Sequence, residues 1–105
     1  MLRIAVVEDD AACARQLQEY ILRFGRERGE TIETEVFTDG AQLVMDYRPV
    51  WDILLLDIEM PRLDGMTAAQ TVRRTDPSVI IIFITNMAKY AIKGYEVDAM
   101  DSVSY

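Results

Sequence analysis

Glu8, Asp9, Asp57 and Thr85 are the residues of this sequence best suited to shared chemistry. Glu8 and Asp9 follow the apolar run Leu2 to Val7, Asp57 closes the aliphatic run Ile53 to Leu56, and Thr85 closes Val79 to Ile84. If those runs are neighbouring strands, three carboxylates and a hydroxyl face one small crevice. Carboxylates a few ångströms apart repel unless a cation lies between them. Hard oxygen ligands with water-filled positions suit Mg2+, which takes one or two carboxylates plus phosphate oxygens. The crevice therefore reads as a magnesium and phosphoryl site. Each residue alone has a plainer role: Glu8, Asp9 and Asp10 as caps and dipole partners of a following helix, Asp57 and Thr85 as the polar ends of buried strands. Their joint placement at strand ends is what favours the site.

Composition narrows the partners. A chain of 105 residues, 50% hydrophobic and 28% charged, fits one globular domain spanning 1–105. Its net charge of −7 opposes direct nucleic-acid binding and association with an anionic membrane. With no histidine, the chain cannot supply Ser-His-Asp or Cys-His catalysis, imidazole ligands or a phosphohistidine. Histidine chemistry must come from a partner. Cys13 is the single cysteine, which excludes an internal disulfide, fits a packing role, and makes a reducing cytoplasm the natural compartment. No apolar run approaches the ~20 residues that span a bilayer, and acidic residues arrive too early after Met1 for a signal peptide.

The elements that position the crevice follow from periodicity. Leu2 to Val7 reads as a strand. Ala14, Leu17, Ile21 and Phe24 recur at helical spacing, with Asp9 or Asp10 as the cap and Gly25 or Gly29 as the stop. Ile32 to Phe37 alternates as a half-buried strand does. Asp39-Gly40 opens a short helix to about Tyr47, ended by Pro49, and Trp51 packs at the start of the next strand. Asp64 caps a helix from Gly65 to about Arg74, Asp76-Pro77 marks a turn, and Met87 to about Val97 is helix-compatible. Ser102 to Tyr105 is a candidate stub of a last strand. Strands alternating with helices predict a doubly wound parallel sheet with right-handed crossovers, binding its ligands beyond the carboxyl ends of the strands.

Three motifs in order resemble those of a response-regulator receiver domain. Val6-Val7-Glu8-Asp9-Asp10 is similar to the acidic pair after its first strand. Leu56-Asp57-Ile58-Glu59-Met60-Pro61-Arg62-Leu63-Asp64-Gly65 is similar to its phosphoacceptor strand and D-x-x-M-P-x-x-D-G loop, and Ile84-Thr85-Asn86 to its switch-threonine strand. Gly94 to Asp101 further resembles receivers of the LytTR type, whose separate output domain binds DNA and has no counterpart in these residues. The resemblance implies a flavodoxin-like fold with strand order 2-1-3-4-5. It also implies Asp57 as acceptor of a phosphoryl group from a sensor histidine kinase. Mg2+ would be held by Asp9, Asp57, Glu8 and the Glu59 carbonyl, and the phosphoryl oxygens by the Thr85 hydroxyl and the Glu59 and Asn86 amides. Such a domain is a switch with at most self-catalysed phosphorylation and dephosphorylation, here serving transcription control.

The sequence departs from that family after Asp101, where receivers carry a last strand, Lys-Pro and a fifth helix. Either Ser102 takes the switch-aromatic position and Tyr105 that of the lysine, or Val103-Ser104-Tyr105 matches the segment after Lys-Pro; both registers remove the lysine. With the last strand truncated or missing, Val79 to Ile84 is expected at or near a sheet edge, inviting a homodimer or lowering stability. Two other functions compete: a pseudo-receiver that only binds partners, and a haloacid-dehalogenase-like phosphohydrolase, since Asp57-Ile58-Glu59 distantly resembles the h-D-x-D motif of that class.

Overall fold

Short aliphatic runs and amphipathic stretches alternate along the chain, and each becomes one element of a parallel sheet wrapped by helices. The computed structural model describes residues 1–58, 60, 62–85 and 102–104. In order they form β1 (Leu2–Val7), α1 (Ala11–Arg28), β2 (Ile32–Phe37), α2 (Gly40–Met45), β3 (Ile53–Asp57), α3 (Gly65–Arg73), β4 (Ile80–Thr85) and β5 (Ser102–Ser104). The sheet runs β2-β1-β3-β4-β5 with parallel pairing throughout, as the resemblance implies. The helix expected from Met87 to Val97 falls outside the described residues.

Side chains alternate across the sheet, and each face has its own core. Ala5, Val7, Leu54 and Leu56 meet Leu43 of α2 and Ala68 and Val72 of α3. Val6 and Ile84 meet Ala14 and Leu17 of α1 on the opposite face. Coverage of both faces explains why β1 and β3 read as continuous apolar runs rather than as alternating ones. Leu54 and Leu56 are fully buried, and each contributes about 1.5–3 kcal/mol relative to exposure.

Helix α1 settles two alternatives and corrects one expectation. Its cap is Asp10, whose carboxylate accepts from the amides of Ala12 at 2.9 Å and Cys13 at 3.1 Å, so Asp9 is not the cap. The helix runs through Gly25 and ends at Gly29, which adopts the left-handed φ of 67°. Gly25 is buried where a Cβ would crowd the Glu30 carbonyl at 2.8 Å and Ile32 Cδ1 at 2.9 Å. Because Gly25 takes the inward position against β2, Phe24 turns outward. It is 48% exposed, not part of the core, and the Arg28 guanidinium lies 4.6 Å from its ring centroid.

Beyond α2, which ends at Met45 rather than near Tyr47, the Tyr47 hydroxyl donates to buried Asp76 at 2.6 Å. Trp51 packs edge-to-face on Phe37 with centroids 6.0 Å apart, at the start of β3 as expected. Strand β4, expected at or near a sheet edge with unpaired backbone groups, lies next to the edge strand, and its carboxyl half is paired rather than open. There Phe83, Ile84 and Thr85 pair with Ser102, Val103 and Ser104 of the short β5. Among the described residues, no helix is long and apolar enough to cross a membrane.

Candidate functional site

The parallel register brings the polar strand ends together. Val7 stands opposite Leu56, so Glu8 and Asp9 leave β1 beside Asp57. Asp57 stands opposite Ile84, and Thr85 follows one residue later. The Glu8 amide donates to the Phe37 carbonyl at 3.0 Å, extending the β1–β2 ladder by one step, and a Glu8 carboxylate oxygen accepts from the Asp10 amide at 3.1 Å. Capping by Asp10 and the turn through Glu8 thus aim the acidic pair at the crevice.

Glu8 is 1% and Asp57 0% exposed, whereas Asp9 is exposed. One oxygen from each of the three lies within 4.8 Å of the others. Taking carboxylates out of water costs several kcal/mol per ion even after relaxation, and their mutual repulsion adds to that cost. A small divalent cation opposes both terms, and an all-oxygen donor set with one solvent-facing member suits Mg2+ better than a softer metal. The residues present therefore fit that ion.

The segment after Asp57 is folded tightly against it. The Gly65 amide donates to the Ile58 carbonyl at 2.9 Å, and a Cβ on Gly65 would overlap the Asp57 carbonyl oxygen. Met60 is buried in the core beneath the loop. Asp64 caps α3 by accepting from the Thr67 amide at 2.8 Å. Arg62 adopts a left-handed φ of 66° and donates through Nε to Asp39 Oδ2 at 2.9 Å, with a second bond from its terminal nitrogen. Asp39 caps α2 through the Gln42 amide at 2.8 Å. That amide is the main cause holding the Asp39 carboxyl below the usual carboxylate range; the Arg62 guanidinium adds to it while burial works against both.

Of the residues expected in the site, Glu8, Asp9 and Asp57 converge, and the backbone of Thr85 ends β4 beside them. Glu59 and Asn86 lie outside the described residues. Sequence reasoning missed the roles of Gly65, Arg62 and Asp39. The available signals were a glycine directly after a capping aspartate and a lone cation in an otherwise acidic loop.

The fold and the acidic crevice define a class of doubly wound proteins with carboxylates at the carboxyl edge of the central strands. The profile of the response regulator receiver domain matches residues 4–104, and the chain belongs to that family. It is 33% identical over 101 residues to the sensory transduction protein LytT of Bacillus subtilis, covering 96% of this chain and 41% of LytT. Its fold is similar to that of the response regulator TrrA from Thermotoga maritima, a structure in complex with Mg2+ and BeF. The TM-score is 0.73 at 24% identity, over 100% of this chain and 84% of that one. It is also similar to a chain of the CheX–CheY–BeF3–Mg2+ complex from Borrelia burgdorferi. There the TM-score is 0.67 at 28% identity, covering 80% of this chain and 61% of that one. The chain thus spans less than half the length of LytT. The family match runs against the haloacid-dehalogenase alternative, which rested on Asp57-Ile58-Glu59 alone.

Proposed function

We propose that residues 1–105 form the phosphoacceptor unit of a two-component system and receive a phosphoryl group from a sensor histidine kinase on Asp57. The observation that carries this reading is a fully buried aspartate at the end of the central strand, with oxygens of Glu8 and Asp9 within 4.8 Å. Residues 1–105 contain no histidine, so a phosphohistidine donor would have to come from outside them. An Asp57 carboxylate oxygen attacks the phosphorus and an O–P bond forms. The P–N bond breaks, and its electron pair leaves with the imidazole, which takes up a proton.

Glu8, Asp9 and Asp57 would hold Mg2+, joined by the Glu59 carbonyl; the converging carboxylates support the first three and the family resemblance the fourth. Bound there, the ion supplies charge neutralisation, the main demand of phosphoryl transfer on a protein. The presence of Mg2+ in the 28% identical complex from Borrelia burgdorferi supports the same choice. The Thr85 hydroxyl and the amides of Glu59 and Asn86 would orient the phosphoryl oxygens. Support for Thr85 is its strand register one residue beyond the partner of Asp57. Hydrolysis of the acyl phosphate would be slow and self-catalysed.

Relatives named as transcriptional regulatory proteins support transcription control; a DNA-binding domain outside these residues rests on the LytTR resemblance, and a cytoplasmic setting on the single cysteine. The acidic receiver itself would contact neither DNA nor membrane. Self-association would use the β4 margin, where Ile80 is 56% exposed; sedimentation tests it.

One observation favours a second reading, the pseudo-receiver. Ser102–Ser104 forms β5, which matches the register that puts Tyr105 at the family's lysine position. Intact mass after incubation with acetyl phosphate and Mg2+ separates the two. A single phosphoryl adduct, absent in Asp57→Asn, supports the acceptor; no adduct in the parent supports the pseudo-receiver, and an undiminished adduct in Asp57→Asn overturns the assignment of Asp57.

A further inference from the structure

The loop between Asp57 and Gly65 carries one cation, and that cation is tied to a distant element. Arg62 reaches across 23 positions of sequence to Asp39, giving it two hydrogen bonds. The two partners are unequal: the Asp39 side chain is 7% exposed and that of Arg62 62%. A carboxylate so buried is restricted in its motion and already fixed by the Gln42 amide at 2.8 Å, so it offers the arginine a rigid anchor. Backbone packing brings the same two segments together. A Cβ on Gly40 would overlap the Leu63 carbonyl oxygen, so the loop lies directly on the first turn of α2. Arg62 also holds a left-handed φ of 66°, a conformation that disfavours L side chains and persists only when surrounding contacts outweigh it.

We propose that Arg62 is a positioning residue for the Asp57 site, latching the loop after Asp57 onto the capped start of α2 through Asp39. The inference rests on the phosphoacceptor reading and extends it to a pair outside the acidic crevice. The loop is held at three described points: the Gly65–Ile58 bond at its base, buried Met60 in its middle and the Arg62–Asp39 pair at its tip. Removing the tip contact leaves the strand and helix in place while widening the range of positions open to the backbone between them. Preorganised ligands bind an ion and a phosphoryl group more tightly than ones that must be ordered on binding. The latch therefore acts on the site through geometry, without Arg62 touching the reacting atoms.

The test measures Mg2+ affinity by calorimetry, the phosphorylation rate with acetyl phosphate, and hydrogen exchange at the Gly65 amide, all well below the thermal midpoint. Parent, Arg62→Gln, Arg62→Lys, Asp39→Asn and the Arg62→Gln/Asp39→Asn double variant are compared. Asparagine can still cap α2, so the Asp39 variant removes the charge partner without removing the cap. Arg62→Gln and Asp39→Asn are expected to lower affinity and rate by about three- to tenfold and to speed exchange at Gly65, with the double variant no worse than either single one. Lysine, which lacks the planar fork, should restore part of the loss. Single variants that match the parent, or effects that add in the double variant, would overturn the latch. A parent that takes up no phosphoryl group overturns the phosphoacceptor reading and the latch with it; a phosphorylated parent with indifferent variants overturns the latch alone.

Discussion

Gly65 lies against Asp57 so closely that a single added methyl group at position 65 would overlap the Asp57 carbonyl oxygen. The glycine amide is also bonded to the next carbonyl, that of Ile58, at 2.9 Å. Neither partner is a flexible side-chain end that can move aside. Gly65→Ala should therefore push the start of α3 away from β3, costing about 1–3 kcal/mol as an overpacked site. Mg2+ affinity should fall with it, because the displaced backbone carries Asp57. Urea unfolding and calorimetry check the two effects, and an alanine variant with parental values in both would show that the contact is absent in solution.

The acidic crevice is expected to favour the fold more when a cation is present. Glu8 and Asp57 are buried, and with Asp9 they place three negative groups within 4.8 Å. Asp57→Asn keeps the shape and removes one charge, so the metal-free variant should be more stable than the metal-free parent by about 1–3 kcal/mol. For a domain of this size that is a midpoint higher by roughly 5 °C or more. Added Mg2+ should raise the parent far more than the variant. Asp9→Ala, losing an exposed ligand, should weaken Mg2+ binding at least tenfold, about 1.4 kcal/mol. Thermal melts with and without Mg2+ decide the first point and calorimetry the second.

The contrast between Asp57 and Arg62 shows what the sequence made legible. Asp57, Glu8 and Asp9 could be found because strand ends are local features: an apolar run stops and a carboxylate begins. Parallel topology then does the rest, since the strands' carboxyl ends share one edge of the sheet. Arg62 leaves only the weak trace of a lone cation in its loop, and its pairing with Asp39 leaves none, because their meeting depends on how a loop lies on a helix 23 positions earlier. Phe24 failed for a related reason. Helical spacing fitted it to the buried face, but close approach of β2 at Gly25 rotated the inward position by one residue. Asp9 and Asp10 were equivalent as caps by type, and only the geometry of the turn through Glu8 separated them.

Tyr47 and Asp76 give the fold an alkaline limit. The hydroxyl donates to the buried carboxylate at 2.6 Å, and burial, followed by that bond, pushes the Tyr47 pKa well above its ordinary value of 10.0. A folded-state pKa above the unfolded one means that the protonated phenol stabilises the fold at and below neutral pH. That contribution is lost as pH rises past the unfolded value. Tyr47→Phe removes the donor from Asp76 and should cost about 1–3 kcal/mol at pH 7. Above pH 10 the parent should lose stability more steeply than the variant, so their unfolding curves converge. Urea midpoints at neutral and alkaline pH measure the difference, and parallel pH profiles would rule out the linkage.

Asp39 sets an opposite limit at acid pH. The Gln42 amide, and after it the Arg62 guanidinium, favour its ionised form and hold its pKa below the ordinary 3.8. A carboxyl with a lower pKa in the folded state stabilises the protein above its unfolded value, and the benefit disappears as pH falls through the folded value. The parent should therefore lose stability on acidification below about pH 4, where the unfolded chain binds the proton first. Asp39→Asn lacks this titration and should show a shallower acid limb, while retaining a capping oxygen for the Gln42 amide. Asp39→Ala loses the cap as well and should be less stable by about 1 kcal/mol at neutral pH. Urea unfolding from pH 7 downward checks both variants: an Asn variant whose acid limb is as steep as the parent's would assign that limb to other carboxylates.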